Sequence, residues 1–270
     1  MKIVFITGAG SGIGLATTKW LVEKGYFVIA SVRSFKRSKE LLALKKETVD
    51  VVEMDVTDDI QVKDVAKYVE TCYGKVDILI NNAGYSQGGF LEYLSMDDWH
   101  RQFETNLFGT VRVTKTFLPL IRKSERGRII NVSSISGFFG FPGLAPYTSS
   151  KFALEGLSES LRFELKKEEI FVSVVQPASF RTGIWKKGIE TVPQMKNPLP
   201  YQKQLLQEGT KSMERGQHPS EVAKVIWKIC ESPRPHFRYR VGKGAKPLAF
   251  FKTYLPWWLL ERIVHKKTEG

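Results

Sequence analysis

Cysteine is scarce in this chain. Cys72 and Cys230 are the only two in 270 residues, and neither belongs to a Cys-x-x-Cys or Cys/His cluster. That excludes a disulfide framework and a zinc site of the usual spacing, and reduced thiols in the cytoplasm are the plain reading. Long apolar runs are missing as well. No stretch reaches the roughly 18 uninterrupted apolar residues that a membrane-spanning helix requires. The apolar run at residues 3–7 is too short for a signal peptide and leads directly into glycines. Internal repeats, low-complexity tracts and linkers rich in Gly, Ser or Pro are also absent. The sequence therefore reads as a single domain over residues 1–270.

At 42% hydrophobic and 26% charged residues, the composition is that of a globular protein with ample material for a core. Apolar strand-length runs occur at residues 2–7, 27–32, 51–54, 77–80, 128–132 and 170–175. Between them lie helix-length periodic segments at 13–23, 57–72, 96–122 and 147–166. Apolar strands alternating with amphipathic helices predict an α/β fold, a parallel sheet covered by helices on both faces. Residues 182–216 break that rhythm with Pro193, Pro198 and Pro200. They read as a lid-like insertion over the carboxyl edge of the sheet, or else as a plain surface loop.

The glycine-rich stretch Thr7-Gly8-Ala9-Gly10-Ser11-Gly12-Ile13-Gly14 joins the first strand to the first helix. A turn there aims free N–H groups and the positive end of the helix at a phosphate, and glycine permits close approach. Eighteen residues after Gly14, where a carboxylate would bind the ribose of NAD, stands Val32, followed by Arg33, Lys36 and Arg37. Guanidinium groups without a repelling carboxylate favour a 2′-phosphate. The expected cofactor is NADP(H), with NAD(H) as the alternative. Further along, Tyr147 and Lys151 are four residues apart and share one helix face. An ammonium beside a phenol favours the phenolate and brings its pKa down from about 10, which suits proton exchange with an alcohol or carbonyl oxygen.

Together these motifs resemble the short-chain dehydrogenase/reductase family, in its compact single-domain branch, from residue 2 to about residue 242. TGAGSGIG is similar to the family's cofactor turn, so Gly8, Gly10, Ser11, Gly12, Ile13 and Gly14 are expected at the cofactor with Arg33 and Arg37. Asp55-Val56 matches the acidic position that meets adenine, and Asn81-Asn82-Ala83-Gly84 the motif bordering the cofactor. Asn106 matches the asparagine that anchors a proton-relay water. Ser134, Tyr147 and Lys151 match the catalytic serine, tyrosine and lysine. Pro177, Phe180 and Thr182 fall in the turn at the nicotinamide end, with Ala178 where the family usually has glycine. The resemblance implies a Rossmann-like sheet of about seven parallel strands in order 3-2-1-4-5-6-7. It also implies an oxidoreductase exchanging a hydride with an alcohol or carbonyl, and a homodimer or homotetramer built on the helices 96–122 and 147–166. A non-catalytic NADP(H)-binding regulator on the same fold is the alternative.

Phe138, Phe139, Phe141, Tyr85, Phe90 and Trp185 are candidates for an apolar pocket wall, which would suit a bulky hydrophobic alcohol or ketone. The nearest resemblance within the family is to its steroid- and retinoid-type members. The net charge of +13 is concentrated late: from residue 181 onward there are 18 Lys+Arg against 7 Asp+Glu. No recognition motif accompanies that charge, so nucleic acid is not an expected partner. The extension at about 245–270 mixes aromatics with cations, including Phe250, Phe251, Trp257 and Trp258. It suits weak peripheral contact with an anionic membrane, or packing against the domain or a neighbouring subunit.

Overall fold

The computed structural model describes residues 1–44, 48–182, 198–205 and 216–269, without the side chains of Arg37 and of residues 266–269. Seven strands form its sheet: β1 (Ile3–Ile6), β2 (Phe27–Val32), β3 (Val49–Glu53), β4 (Ile78–Asn81), β5 (Arg128–Val132), β6 (Phe171–Pro177) and β7 (Arg238–Val241). Their order is β3-β2-β1-β4-β5-β6-β7, and all six pairings are parallel. This is the Rossmann-like order expected. The direction of winding reverses between β1 and β4, and in such sheets ligands bind at the carboxyl ends beside that reversal.

Period-two side-chain geometry divides the core into two layers. Val4 and Ile6 of β1, Val28 and Ala30 of β2, and Ile78 and Ile80 of β4 face one layer. That layer is closed by α1 (Gly12–Glu23) and α7 (Ser220–Glu231), through Leu21, Val222 and Ile226. Phe5, Ile29, Leu79 and Ile129 face the other layer, against α3 (Asp59–Tyr73) and α5 (Gly109–Arg122). There the Phe5 and Phe117 rings lie 4.2 Å apart. Strands buried on both faces need apolar residues at every position, which is why they read as continuous runs.

Local signals set the helix ends. Asp58 caps α3 by accepting from the N–H groups of Ile60 and Gln61, and Gly74 ends it at φ 74°. Ser95 and Asp98 form a reciprocal capping box on α4 (Met96–Phe103). The short α2 (Lys39–Leu42) precedes β3, and α6 (Ala145–Glu164) follows β5. The segment 96–122 differs from the single helix expected: a π-helical stretch, Glu104–Phe108, separates α4 from α5. Helix α5 lies so close to the β3–α3 loop that a Cβ on Gly109 would stand 2.8 Å from Val56 Cγ2. Beyond β7 come α8 (Ala245–Tyr254) and α9 (Trp257–Glu269). Most of the lid-like insertion expected at 182–216 falls outside the described residues, which include only 182, 198–205 and 216 of it.

Phe117 is fully buried against Phe5. Phe117→Ala is expected to lower unfolding free energy by about 3–5 kcal/mol, measured by urea denaturation. A loss below about 1 kcal/mol would contradict this packing.

Candidate active site

Two turns meet at the floor of the cleft. After β1, Gly8 (φ 66°) and Gly12 (φ 56°) occupy the left-handed region that side chains disfavour. After β4, the N–H groups of Asn82 and Ala83 each donate to Thr7 Oγ1 at 3.0 Å. Asn82 Nδ2 donates back to the carbonyls of Thr7 (2.9 Å) and Gly8 (3.0 Å). The turns are so close that a Cβ on Gly8 would stand 2.8 Å from Ala83 Cα. At the start of α1, Ser11 makes no side-chain cap and the first turn carries no acidic residue. The first-turn N–H groups and the positive helix end are therefore left for an anion.

A cleft of about 1720 Å³ runs along this edge, lined by residues from both turns and from β5, α6 and the turn after β6. It is roomier than the roughly 300–1,000 Å³ of a typical small-ligand pocket. Gly8, Gly10, Ser11, Gly12 and Ile13 line one end, with Arg33, Lys36, Asp55 and Val56. Asn82, Ala83, Gly84, Pro177, Phe180 and Thr182 continue the wall toward Ser134, Tyr147 and Lys151. Ser133 follows β5 in the same wall, but its hydroxyl is buried toward Gly137 and makes no hydrogen bond. A phosphate-ready helix end and basic groups beyond β2 fit a dinucleotide. Gly14 lies behind the turn and does not line the cleft; a Cβ there would collide with the Gly8 carbonyl oxygen. Arg37 closes the turn Phe35–Arg37, but its side chain lies outside the described residues.

Ser134 follows β5, and Tyr147 and Lys151 lie in the first two turns of α6; all three are buried. Ser134 Oγ accepts from the N–H of Ser136 at 3.1 Å and is hydrogen-bonded to the Tyr147 hydroxyl. Lys151 Nζ donates to the Val132 carbonyl at 2.9 Å and stands 5.8 Å from the centre of the Tyr147 ring. Here the expected direction of the tyrosine shift is reversed. Burial pushes Tyr147 up to about 12, only partly opposed by the Ser134 hydrogen bond. Burial likewise brings Lys151 down to about 8, with the charge of Glu155 acting against it. Loss of water outweighs the Ser134 hydrogen bond at Tyr147 and the Glu155 charge at Lys151.

Asn106 sits in the π-helical stretch and does not line the cleft. Its side chain accepts from the Tyr85 N–H (3.1 Å) and donates to the Tyr85 carbonyl (3.0 Å) and Ser150 Oγ (3.1 Å). It therefore pins the loop after β4 to α6, at the kind of helix irregularity that often borders functional sites. A layer that sequence reasoning missed lies behind Lys151. Glu155, one turn further along α6 and buried, accepts from Gln176 Nε2 (3.0 Å) and Arg238 Nε (2.9 Å). Its signal was the continued i, i+4 stripe Tyr147–Lys151–Glu155; its partners on β6 and β7 had none.

Of the proposed aromatic wall, only Tyr85 lines the cleft among the described residues. Phe139 and Phe141 pack on each other with ring centres 5.2 Å apart. Phe90 meets Tyr201 edge-on at 6.0 Å, and Arg240 lies over Phe138. Trp185 is outside the described residues. Polar side chains of α4, Asp98, His100 and Arg101, line the cleft without having been expected there.

Comparison with known proteins gives the family and the fold. The family model described as short chain dehydrogenase matches residues 2–192. An uncharacterized oxidoreductase, YusZ, of Bacillus subtilis is 40% identical, covering 98% of each chain. A 3-ketodihydrosphingosine reductase of Bacteroides thetaiotaomicron is 37% identical over 94% of this chain and 93% of its own. Retinol dehydrogenase 8 of Bos taurus is 34% identical over 94% and 86%. A Streptomyces avermitilis short-chain dehydrogenase structure superposes with TM-score 0.82, at 30% identity over 99% of this chain and 96% of that one. A Burkholderia phymatum short chain dehydrogenase/reductase in complex with NAD gives TM-score 0.80, at 27% identity over 92% and 91%. ElxO with NADP bound gives 0.76, at 27% identity over 91% and 99%.

The depressed Lys151 pKa has a consequence for stability. Below about 8 both folded and unfolded chains hold its proton, so its contribution is constant. Between about 8 and the ordinary 10.5 the unfolded chain holds more protons, so the contribution to stability rises with pH. The stability of the wild type relative to Lys151→Met is expected to increase across that window by up to about 3 kcal/mol. Urea titrations at several pH values measure it; a difference independent of pH would show that Lys151 is not depressed.

Proposed function

Because the chain belongs to the short-chain dehydrogenase family, we propose that it is an NADP(H)-dependent oxidoreductase interconverting a hydrophobic secondary alcohol and its carbonyl compound. The observation that carries this reading is the buried, hydrogen-bonded pair Ser134–Tyr147 on the cleft wall, with Lys151 one helical turn behind. The nicotinamide, when bound, supplies the hydride. The chain's own residues supply position and protons. With its pKa pushed up to about 12, the Tyr147 phenol keeps its proton at neutral pH and is prepared to give it to a carbonyl oxygen gaining negative charge. Ser134 donates to that same oxygen and fixes its direction. Lys151 would hold the ribose hydroxyls with its ammonium group, and Asn106 holds the loop and α6 in register.

Cofactor preference rests on charge. Arg33 and Lys36 line the cleft beyond β2, and the nearby Glu53 carboxylate is occupied by the Phe35 N–H at 3.0 Å. A 2′-phosphate beside Arg33 and Lys36 therefore meets cations. Tyr85, Val132, Pro177, Ala178 and Phe180 supply apolar wall, which favours a hydrophobic substrate. The named substrates of two relatives, 3-ketodihydrosphingosine and retinol, are likewise mostly apolar. Exposed Phe108, Val111, Phe152 and Phe163, on the π stretch, α5 and α6, support assembly as a homodimer or homotetramer on those helices. The unpaired thiols Cys72 and Cys230 suit the cytoplasm.

Fluorescence titration is expected to show tighter binding of NADPH than of NADH, with Arg33→Ala narrowing the gap; equal affinities in the wild type would reject the preference. Tyr147→Phe should retain NADPH binding and lose about 10²–10⁴-fold in turnover of an apolar ketone. Unchanged turnover would remove Tyr147 from the chemistry, and preference for a sugar carbonyl would overturn the substrate class.

A further inference from the structure

We propose that the elbow between α8 and α9 is a docking surface for an anionic lipid bilayer, placed so that an apolar substrate reaches the cleft from the lipid. The inner side of the elbow is small and buried, through Ala245, Ala249 and Leu260. Its outer side carries Phe250, Tyr254, Trp257 and Trp258, all more than half exposed, with Phe251 beside them. The Phe250 ring lies 4.8 Å from Tyr254, and Lys252 Nζ sits 4.2 Å above Trp257. Exposed aromatics in contact with a cation match the headgroup boundary, where rings enter the acyl region and ammonium groups meet phosphate.

Charge decides between a bilayer and a second copy of the chain. Residues 242–270 contain Lys243, Lys246, Lys252, Arg262, Lys266 and Lys267 against only Glu261 and Glu269. Two such faces would repel each other, whereas an anionic surface attracts each cation by about 1 kcal/mol. Position links the elbow to the site. Helix α8 starts just after β7, at the sheet edge that bears the cleft. A Cβ on Gly242 would stand 3.0 Å from the ring of Phe180, a cleft-lining residue. Lys252 Nζ lies 5.8 Å from the ring centre of Phe139, in the loop that follows Ser134. The delivery role rests on the oxidoreductase reading; the docking surface does not.

Flotation of the full-length protein with phosphatidylserine-containing vesicles, beside pure phosphatidylcholine vesicles, tests the docking. Binding is expected only with phosphatidylserine. It should weaken as salt rises and fall at least about tenfold in Trp257→Ala/Trp258→Ala. Equal binding to both vesicles, no binding at low salt, or full binding by the variant overturns the surface. Loss of oligomer mass by the variant in gel filtration, with flotation unchanged, assigns the face to a second copy and overturns it as well. The variant should retain turnover of a water-soluble ketone with NADPH and lose turnover of a long-chain ketone dissolved in vesicles. Equal loss on both substrates overturns delivery. Flotation without any turnover by the wild type rejects the oxidoreductase reading and leaves the docking surface standing.

Discussion

The carboxyl edge of the sheet depends on one seam, where the backbone of Thr7 and Gly8 meets that of Asn82 and Ala83. Four hydrogen bonds cross it, two accepted by the Thr7 hydroxyl and two donated by the Asn82 amide. There is no room there for a side chain at Gly8, and none at Gly14 just behind. The seam fixes where α1 begins and hence where its positive end points. It also joins β1 to β4 at the reversal of the winding, where a cleft opens because successive crossovers leave in opposite directions.

From that seam, order passes along the sheet through buried polar groups. Asn81 Nδ2 donates to Thr114 Oγ1 and to Asn131 Oδ1, each at 2.9 Å, and Asn131 Nδ2 donates to Ser158 Oγ at 2.8 Å. This ladder ties β4, α5, β5 and α6 together. In a low-dielectric interior such bonds are costly to break, so α6 is held in register with the end of β5. That register brings Ser134 to Tyr147. The Glu155–Gln176–Arg238 cluster extends the support to β6 and β7.

Burial sets the chemistry as much as proximity does. Tyr147 and Lys151 share a helix face, yet each is moved toward its neutral form because both have lost water. A phenol in that state holds its proton at neutral pH.

The sequence by itself determined the sheet's first six strands, the glycine turn and the spacing of Ser134, Tyr147 and Lys151, because each is written in local periodicity or fixed offsets. It could not show β7, a four-residue edge strand whose exposed Arg238 and Arg240 read as surface. Nor could it show the π-helical stretch that interrupts 96–122, since the extra residue in the turn leaves the amphipathic pattern recognisable. Tertiary structure alone decided that Asn106 grips the Tyr85 backbone, that Glu155 stands behind Lys151, and that Phe139 and Phe141 pack on each other instead of lining the cleft. It also decided the sign of the Tyr147 shift. Spacing reports which groups are neighbours, but only the packed interior determines how much water each has lost, and here that loss sets the direction for both Tyr147 and Lys151.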